Sequence, residues 1–535
     1  MTPAFYRPLR LSAAPLFLSI ILSFGSPDHA QAQISPFTQA LAAAAGQDDT
    51  ISAFYRARDY RTLWTGAADA ERRNALLSAL LTAGDHGLPV RRYDPAELMA
   101  ALQAAVTEGD RGRLEVAMTR AFLDYARDIQ TGILVPAKVD AGIVREVPLR
   151  DPLANLAAFE SGSPTAFLKN LPPKDPEYAR LVKEKITLER LIATGGWGPS
   201  VPAEKLAPGA SGAAVVALRD RLMAMGYLRR TATGSYDAAM ENAVQEFQRH
   251  HGLEADGVAG ISTIEEINVG PDVRLRSILV ALERERWMNI PRGQRHIWVN
   301  LTDFSAKIVD DGKTTFATRS VIGKDVPDQR SPEFSDVMDY MVINPSWNVP
   351  RSITTKEYLP LMQRNPGAAG HLQLIDSRGR VVPRGAVNFN AYSARTFPFS
   401  MRQPPSDGNA LGLVKFMFPN QWNIYLHDTP SKSLFDREVR AFSHGCIRLA
   451  DPFDFAYALL AKQTDDPEGL FQGHLKTGRE TVVNLEQPVP VHLVYFTAYS
   501  SAKGQMNYRR DVYGRDQRIY EALEQAGVAS APVQG

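Results

Sequence analysis

Asn423-Ile424-Tyr425-Leu426-His427 and, after an interval of 15 residues, Ser443-His444-Gly445-Cys446-Ile447-Arg448-Leu449 decide how the C-terminal half of the chain reads. Asn423 to Leu426 has the pattern of a short strand, with His427 at its end. A strand end is a rigid platform for an imidazole, and the interval is long enough to return and set Cys446 beside it. A thiol is a poor nucleophile until ionised, and a nearby imidazole can take its proton. Gly445 permits close backbone approach or a positive φ. Backbone N–H groups around Gly445 and Cys446 are then candidates for an oxyanion hole. Arg448 supplies a fixed positive charge that can grip a carboxylate as a fork or brace the loop through carbonyls. Spacing alone leaves two other readings open. One is a buried structural cysteine with two incidental histidines. The other is a zinc site of Cys446, His444 and His427, which no Asp/Glu/His cluster at ligand spacing completes.

Cys446 is the only cysteine in 535 residues, so the chain holds no internal disulfide framework and no Cys-based cluster. An apolar fraction of 44% and a charged fraction of 22% describe a globular chain long enough for several domains. Sixty basic against 59 acidic residues give no electrostatic case for nucleic acid or an anionic membrane. Arg7 and Arg10, the mostly apolar run Leu11 to Phe24, and Ala30-Gln31-Ala32 have the layout of a secretory signal peptide over residues 1–32. The alternative, a membrane anchor, suffers from a short run interrupted by Pro15. Cleavage after Ala32 leaves 58 basic and 58 acidic residues. The expected location is the periplasm, an oxidising compartment where a lone thiol is either a buried hydrophobe or a reactive group.

Outward from the catalytic runs, the pattern divides the chain. Residues 33–200 read as a helical region: Ala40 to Ala45 is Ala-rich, Asn74 to Leu81 carries Leu at helical spacing, and Asp94-Pro95 resembles a cap followed by Pro at the first helical position. Residues 201–270 read as a three-helix module, with Val215, Leu218, Leu222 and Met225 on one face and Met240, Val244 and Phe247 on another. Residues 271–292 read as a connecting helix carrying Glu283, Arg284, Glu285 and Arg286. From 293 to 500 the pattern changes to period two and short apolar runs, among them Ile297-Trp298-Val299 and Met341-Val342-Ile343, which predicts a mainly-β domain. Within it, residues 350–420 are rich in Pro, Gly and Asn and read as an insertion capping a site, with a helix over Lys356 to Arg364. Residues 501–535 read as a helix and a polar tail. The fold class is multidomain α+β.

Leu206-Ala207-Pro208-Gly209-Ala210-Ser211-Gly212, Phe247-Gln248-Arg249-His250-His251-Gly252-Leu253 and Asp256-Gly257-Val258-Ala259-Gly260 resemble the peptidoglycan-binding domain of cell-wall enzymes. His427 with Ser443-His444-Gly445-Cys446 resembles the signature of L,D-transpeptidases. So do Asn344-Pro345-Ser346-Trp347-Asn348-Val349-Pro350, Gly408-Asn409-Ala410-Leu411-Gly412, Lys415-Phe416-Met417-Phe418-Pro419-Asn420 and Tyr425-Leu426-His427-Asp428-Thr429-Pro430, in the manner of the large periplasmic subgroup. The order of parts is the same: scaffold region, peptidoglycan-binding module, capped catalytic domain. One departure is Arg448, where some members carry Asn.

The resemblance implies a peptidoglycan L,D-transpeptidase, a carbapenem target in the periplasm, with stem peptides and glycan as partners and neither cofactor nor metal. Wall-synthesis proteins are further partners it allows; nucleic acid and a stable membrane span are not expected. Cys446 would attack the carbonyl at the L-centre of the diamino-acid residue of a tetrapeptide stem. His427 would act as base and acid, and an amine of a second stem would resolve the thioester into a 3→3 cross-link. A backbone carbonyl usually orients the base in this family, with Asp428 the weaker candidate. His444 would shape the oxyanion pocket or hold substrate, Ser443 cap the loop, and Tyr425 and Trp422 line the donor groove or pack. Resolution by water or by a protein amine, and a catalytically silent wall-binding scaffold, are the alternatives.

Overall fold

The computed structural model describes residues 34–501 and 504–528. The segment read as a signal peptide and the end of the polar tail lie outside the described residues. Helices run from Pro36–Ala45 to Pro176–Ala193. Their ends follow local chemistry. The Asp94 carboxylate accepts from the Glu97 N–H, with Pro95 at the first position of its helix. Thr107 and Asp110 cap the Glu108–Thr131 helix reciprocally. The module consists of helices Ala213–Ala224, Ala238–His250 and Ile261–Ile267 around Val215, Leu218, Leu222, Met240, Val244 and Phe247.

The helix Pro271–Trp287 is more than a connection. Four consecutive residues of an α-helix, about 100° apart, point to all sides. Glu283, Arg284, Glu285 and Arg286 are all buried, so protein encloses the helix all round. Its apolar residues, from Leu275 to Trp287, belong to the same core as the N-terminal helices and the C-terminal helix Arg515–Gln525. The helix Arg515–Gln525 therefore completes the first domain.

The β domain carries strands β1 (Arg295–Asn300), β2 (Ser305–Asp310), β3 (Lys313–Gly323) and β4 (Phe334–Ile343). Strands β5 (Trp347–Val349), β6 (Gln373–Ile375), β7 (Val381–Val382) and β8 (Ser400–Gln403) follow. Then come β9 (Val414–Met417), β10 (Leu426–His427), β11 (Ala441–Ser443), β12 (Ile447–Leu449), β13 (Thr481–Val494), β14 (Ala498–Ser500) and β15 (Met506–Tyr508). The main sheet runs β11-β3-β12-β10-β9-β4-β13-β1-β2, and β2 pairs again with β3, so the sheet returns on itself. Parallel pairs β1–β13, β10–β12 and β11–β3 make it mixed.

Two expectations change. The cap is a separate sheet of order β5-β8-β6-β7 with its own core of Leu359, Met362, Leu374, Phe389 and Met401. It ends at β8, because Val414–Met417 is strand β9, paired with both β4 and β10 in the main sheet. Asn423 to Tyr425 is not strand. Asn420 turns the chain there: its Oδ1 accepts from the Trp422 and Ile424 N–H groups, its Nδ2 donates to the Phe418 and Ile424 carbonyls, and Asn423 takes φ +54°. His427 is the last residue of the two-residue strand β10, at the strand end.

Candidate active site

Register brings the site together. β10 pairs in parallel with β12, placing Leu426 opposite Ile447 and His427 opposite Arg448. β10 also pairs with β9, placing Leu426 opposite Phe416 and His427 opposite Lys415. Side chains alternate along a strand. Phe416, Leu426 and Ile447 consequently enter the core. Lys415, His427 and Arg448, together with Tyr425 and Cys446, which lie two residues before His427 and Arg448 in the chain, line one cavity of about 840 Å³. The cap supplies the other wall, through Trp347 and Glu357 among others.

The loop between β11 and β12 is tied down from both sides. Gly445 has φ +112°, and a Cβ there would lie 3.1 Å from Ile424 Cδ1, so a larger residue is strained. The Gly445 N–H donates to Ser443 Oγ at 3.2 Å, and Ser443 Oγ donates to the Cys446 carbonyl. Ser331 Oγ donates to the Gly445 carbonyl at 2.7 Å. Ser443 therefore builds the loop. The Gly445 N–H, expected to face an oxyanion, is engaged inside it, which leaves the Cys446 N–H as the available donor of the two.

The His427 Nδ1–H donates to the Asp428 carbonyl oxygen. That fixes the tautomer with Nε2 as the basic atom. The Asp428 carboxylate is turned elsewhere, accepting from Lys432 Nζ at 2.7 Å and the Leu413 N–H at 2.9 Å. Burial, with Arg448 beside it, lowers His427 to about 3. Burial pushes the Cys446 thiol up to about 11, offset in part by hydrogen bonding from Tyr425 and by the Arg448 and Lys415 charges. The resting pair at neutral pH is thus a thiol and a neutral imidazole.

Neither Arg448 nor Lys415 forms an ion pair or a side-chain hydrogen bond among the described residues, and Arg448 Nε is buried without a partner. Desolvation lowers both. Arg448 accordingly does not brace the loop. Sequence reasoning missed Lys415 as a site residue, although it opens the family-resembling run Lys415-Phe416-Met417-Phe418-Pro419-Asn420. Glu357 was missed too. It accepts from His444 Nε2 at 2.8 Å, across the cavity mouth from the cap, in a π-turn spanning Thr354–Tyr358. Beside it, Lys356 Nζ meets Asp328 at 2.6 Å. Tyr425 packs edge-on to His427, with ring centroids 5.6 Å apart, and Trp422 packs against Phe334 while also facing the cavity. Among the described residues no group of three or more His, Cys, Asp or Glu side chains is placed to hold a metal. No helix among them is long and apolar enough to cross a membrane.

Comparison with known proteins matches three parts of the chain. Residues 49–184 match a family described as "Scaffold domain", residues 211–267 "Putative peptidoglycan binding domain", and residues 294–482 "L,D-transpeptidase catalytic domain". A Haemophilus influenzae protein described as "Putative L,D-transpeptidase" is 30% identical over 242 residues, 45% of this chain and 48% of that protein. The chain thus spans about half the length of the curated relative it matches. Crystal structures of L,D-transpeptidases from Xylanimonas cellulosilytica (16% identity, 55% of this chain and 98% of that one, TM-score 0.17) and Stackebrandtia nassauensis (17%, 55% and 96%, TM-score 0.22) also match. Residues 294–482 thus match the L,D-transpeptidase catalytic domain, beside a scaffold-domain match and a peptidoglycan-binding-domain match.

Proposed function

We propose that this protein is an exported peptidoglycan L,D-transpeptidase that forms 3→3 cross-links through a thioester on Cys446. One observation carries the reading. In a domain of this family, a thiol, a tautomer-fixed imidazole and two cations without carboxylate partners share one cavity. Arg448 and Lys415 suit the terminal carboxylate of a donor tetrapeptide. Sγ attacks the carbonyl at the L-centre of the diamino-acid residue while its proton passes to His427 Nε2. The Cys446 N–H faces the developing oxyanion. His427 then protonates the nitrogen of the departing D-alanine. In the second half-reaction an acceptor amine attacks the thioester, His427 takes the amine proton, and the thiolate leaves and is reprotonated. The cap excludes water, which favours the amine over hydrolysis. Export rests on the N-terminal segment, and periplasmic location follows from it.

A second reading, a catalytically silent wall-binding scaffold, is favoured by one finding: burial keeps the resting thiol protonated. Intact mass after carbapenem treatment separates the two. An adduct on wild type that is lost in Cys446→Ala supports the enzyme; an unchanged mass supports the scaffold. Incubation with tetrapeptide wall fragments then reports the acceptor. Dimers linked 3→3 indicate transfer between stems, and free tripeptides alone indicate hydrolysis.

A further inference from the structure

The three-helix module is bolted to the β domain instead of hanging from a linker. Arg509, following β15, donates through Nε to Asp303 at 2.6 Å and through Nη1 to the His250 carbonyl at 2.7 Å. Gly252 allows this approach: its φ is +68°, and a Cβ there would lie 2.7 Å from Arg509 Cδ. The bolt leaves a cleft of about 500 Å³ between the module's turn at Arg249–Glu254 and the catalytic domain's β11 approach, Phe435–Arg440.

The charge in this cleft is unbalanced in a particular way. Asp303 is committed to Arg509, Asp436 to Arg319 at 3.5 Å, and Glu438 to Arg510 at 3.3 Å. Arg249, Arg437 and Arg440 have no carboxylate partner among the described residues, against one unpaired acid, Glu254. Arg440 is held in place by backbone carbonyls alone, those of Ser320, Arg437 and Phe304 at 3.2, 2.8 and 3.3 Å, with its guanidinium over the Phe304 ring. A guanidinium fixed by neutral acceptors keeps its whole charge for a ligand. The cleft also communicates with the active site along the chain. Arg440 immediately precedes β11, and β11 ends at Ser443, the start of the catalytic loop. At the rise of an extended strand that is a step of roughly 10 Å.

We propose that this cleft is a second substrate site, binding carboxylates on the peptide stems of the same wall polymer whose neighbouring stem occupies the Cys446 cavity. The proposal rests on the wall polymer being the ligand, but not on the cysteine chemistry. Arginine forks select carboxylate-bearing peptide over neutral glycan, and the module and the catalytic domain each contribute a free one, Arg249 and Arg437. The site would favour donor stems that are still part of a strand.

The test measures binding of Cys446→Ala protein to soluble glycan strands carrying tetrapeptide stems, native or with carboxyls amidated, at low and moderate salt. The expected result is at least about tenfold weaker binding after amidation. The same loss and a flatter salt dependence are expected for the Arg249→Gln/Arg437→Gln pair, both exposed positions, with an unchanged thermal melt. Unchanged strand binding in that variant, or equal binding of amidated strands, overturns the cleft. Wild-type protein that binds strands through these arginines yet forms no thioester refutes the transpeptidase reading and leaves the cleft standing.

Discussion

The Pro271–Trp287 helix and the sheet face around Cys446 both take charge out of water, and they treat it in opposite ways. On the helix every charge finds its complement. Glu283 accepts from the Ile133 and Leu134 N–H groups at 2.7 and 2.8 Å, from Trp287 Nε1 and from Arg286. Arg284 pairs with Glu333 and with Asp516, and Glu285 with Arg292 at 2.6 Å. Around the thiol, Arg448 and Lys415 form no ion pair among the described residues. A closed network holds domains in one arrangement; an open one waits for a ligand. Charged residues inside a protein are informative through what they lack.

The comparison can be broken at several levels. The largest effect is expected from Cys446→Ala, which should lower turnover on tetrapeptide substrate by at least about 10⁴-fold with little change in melting temperature; retained turnover would move the nucleophile elsewhere. Next is a matched pair of arginines. Arg284→Met leaves Glu333 and Asp516 short of their partner and should cost about 3–5 kcal/mol, read as a clear fall in melting temperature. Arg448→Met removes an uncompensated cation and should leave the melt within about 1 kcal/mol of wild type while raising donor KM roughly 10–100-fold. Equal destabilisation by both would erase the distinction between the two regions. The thiol supplies a pH test. With Cys446 raised to about 11 by burial, its thiolate fraction grows tenfold per pH unit below that value. Alkylation should therefore keep accelerating from pH 6 to 9, and a plateau near pH 7 would mean a preformed thiolate–imidazolium pair. The smallest effect belongs to the exposed cap contact. Glu357→Gln should cost no more than about 1 kcal/mol, seen as a few-fold change in activity.

Parts of this architecture are legible in order along the chain. Short apolar runs such as Met341-Val342-Ile343 and the helical stripe of Val215, Leu218 and Leu222 lie in elements of the type their pattern predicts, because run length and side-chain spacing are local properties. Asn423–Tyr425 defeats the same reasoning: its apolar residues suit a strand, but the Asn420 side chain captures the backbone groups a ladder would need. The cap boundary at β8 was hidden because β9 is only four residues long and is a strand through its neighbours β4 and β10.

The site divides similarly. Cys446, His427, His444 and Gly445 stand out by residue type and spacing, since nucleophile, base and a flexible loop are written within a short stretch. Lys415 and Glu357 do not, because a lysine in an alternating strand and a glutamate in a Pro-rich insertion look like ordinary surface residues. Their meaning comes from register and from the fold of the cap over the sheet. The same holds for Glu283 to Arg286, four charges whose burial depends on helices up to 232 residues away in sequence. The sequence alone determined the chemistry available, because reactivity belongs to residue types. Only the tertiary structure decided which charges are spent on one another and which stay free, because pairing depends on distance and on the removal of water.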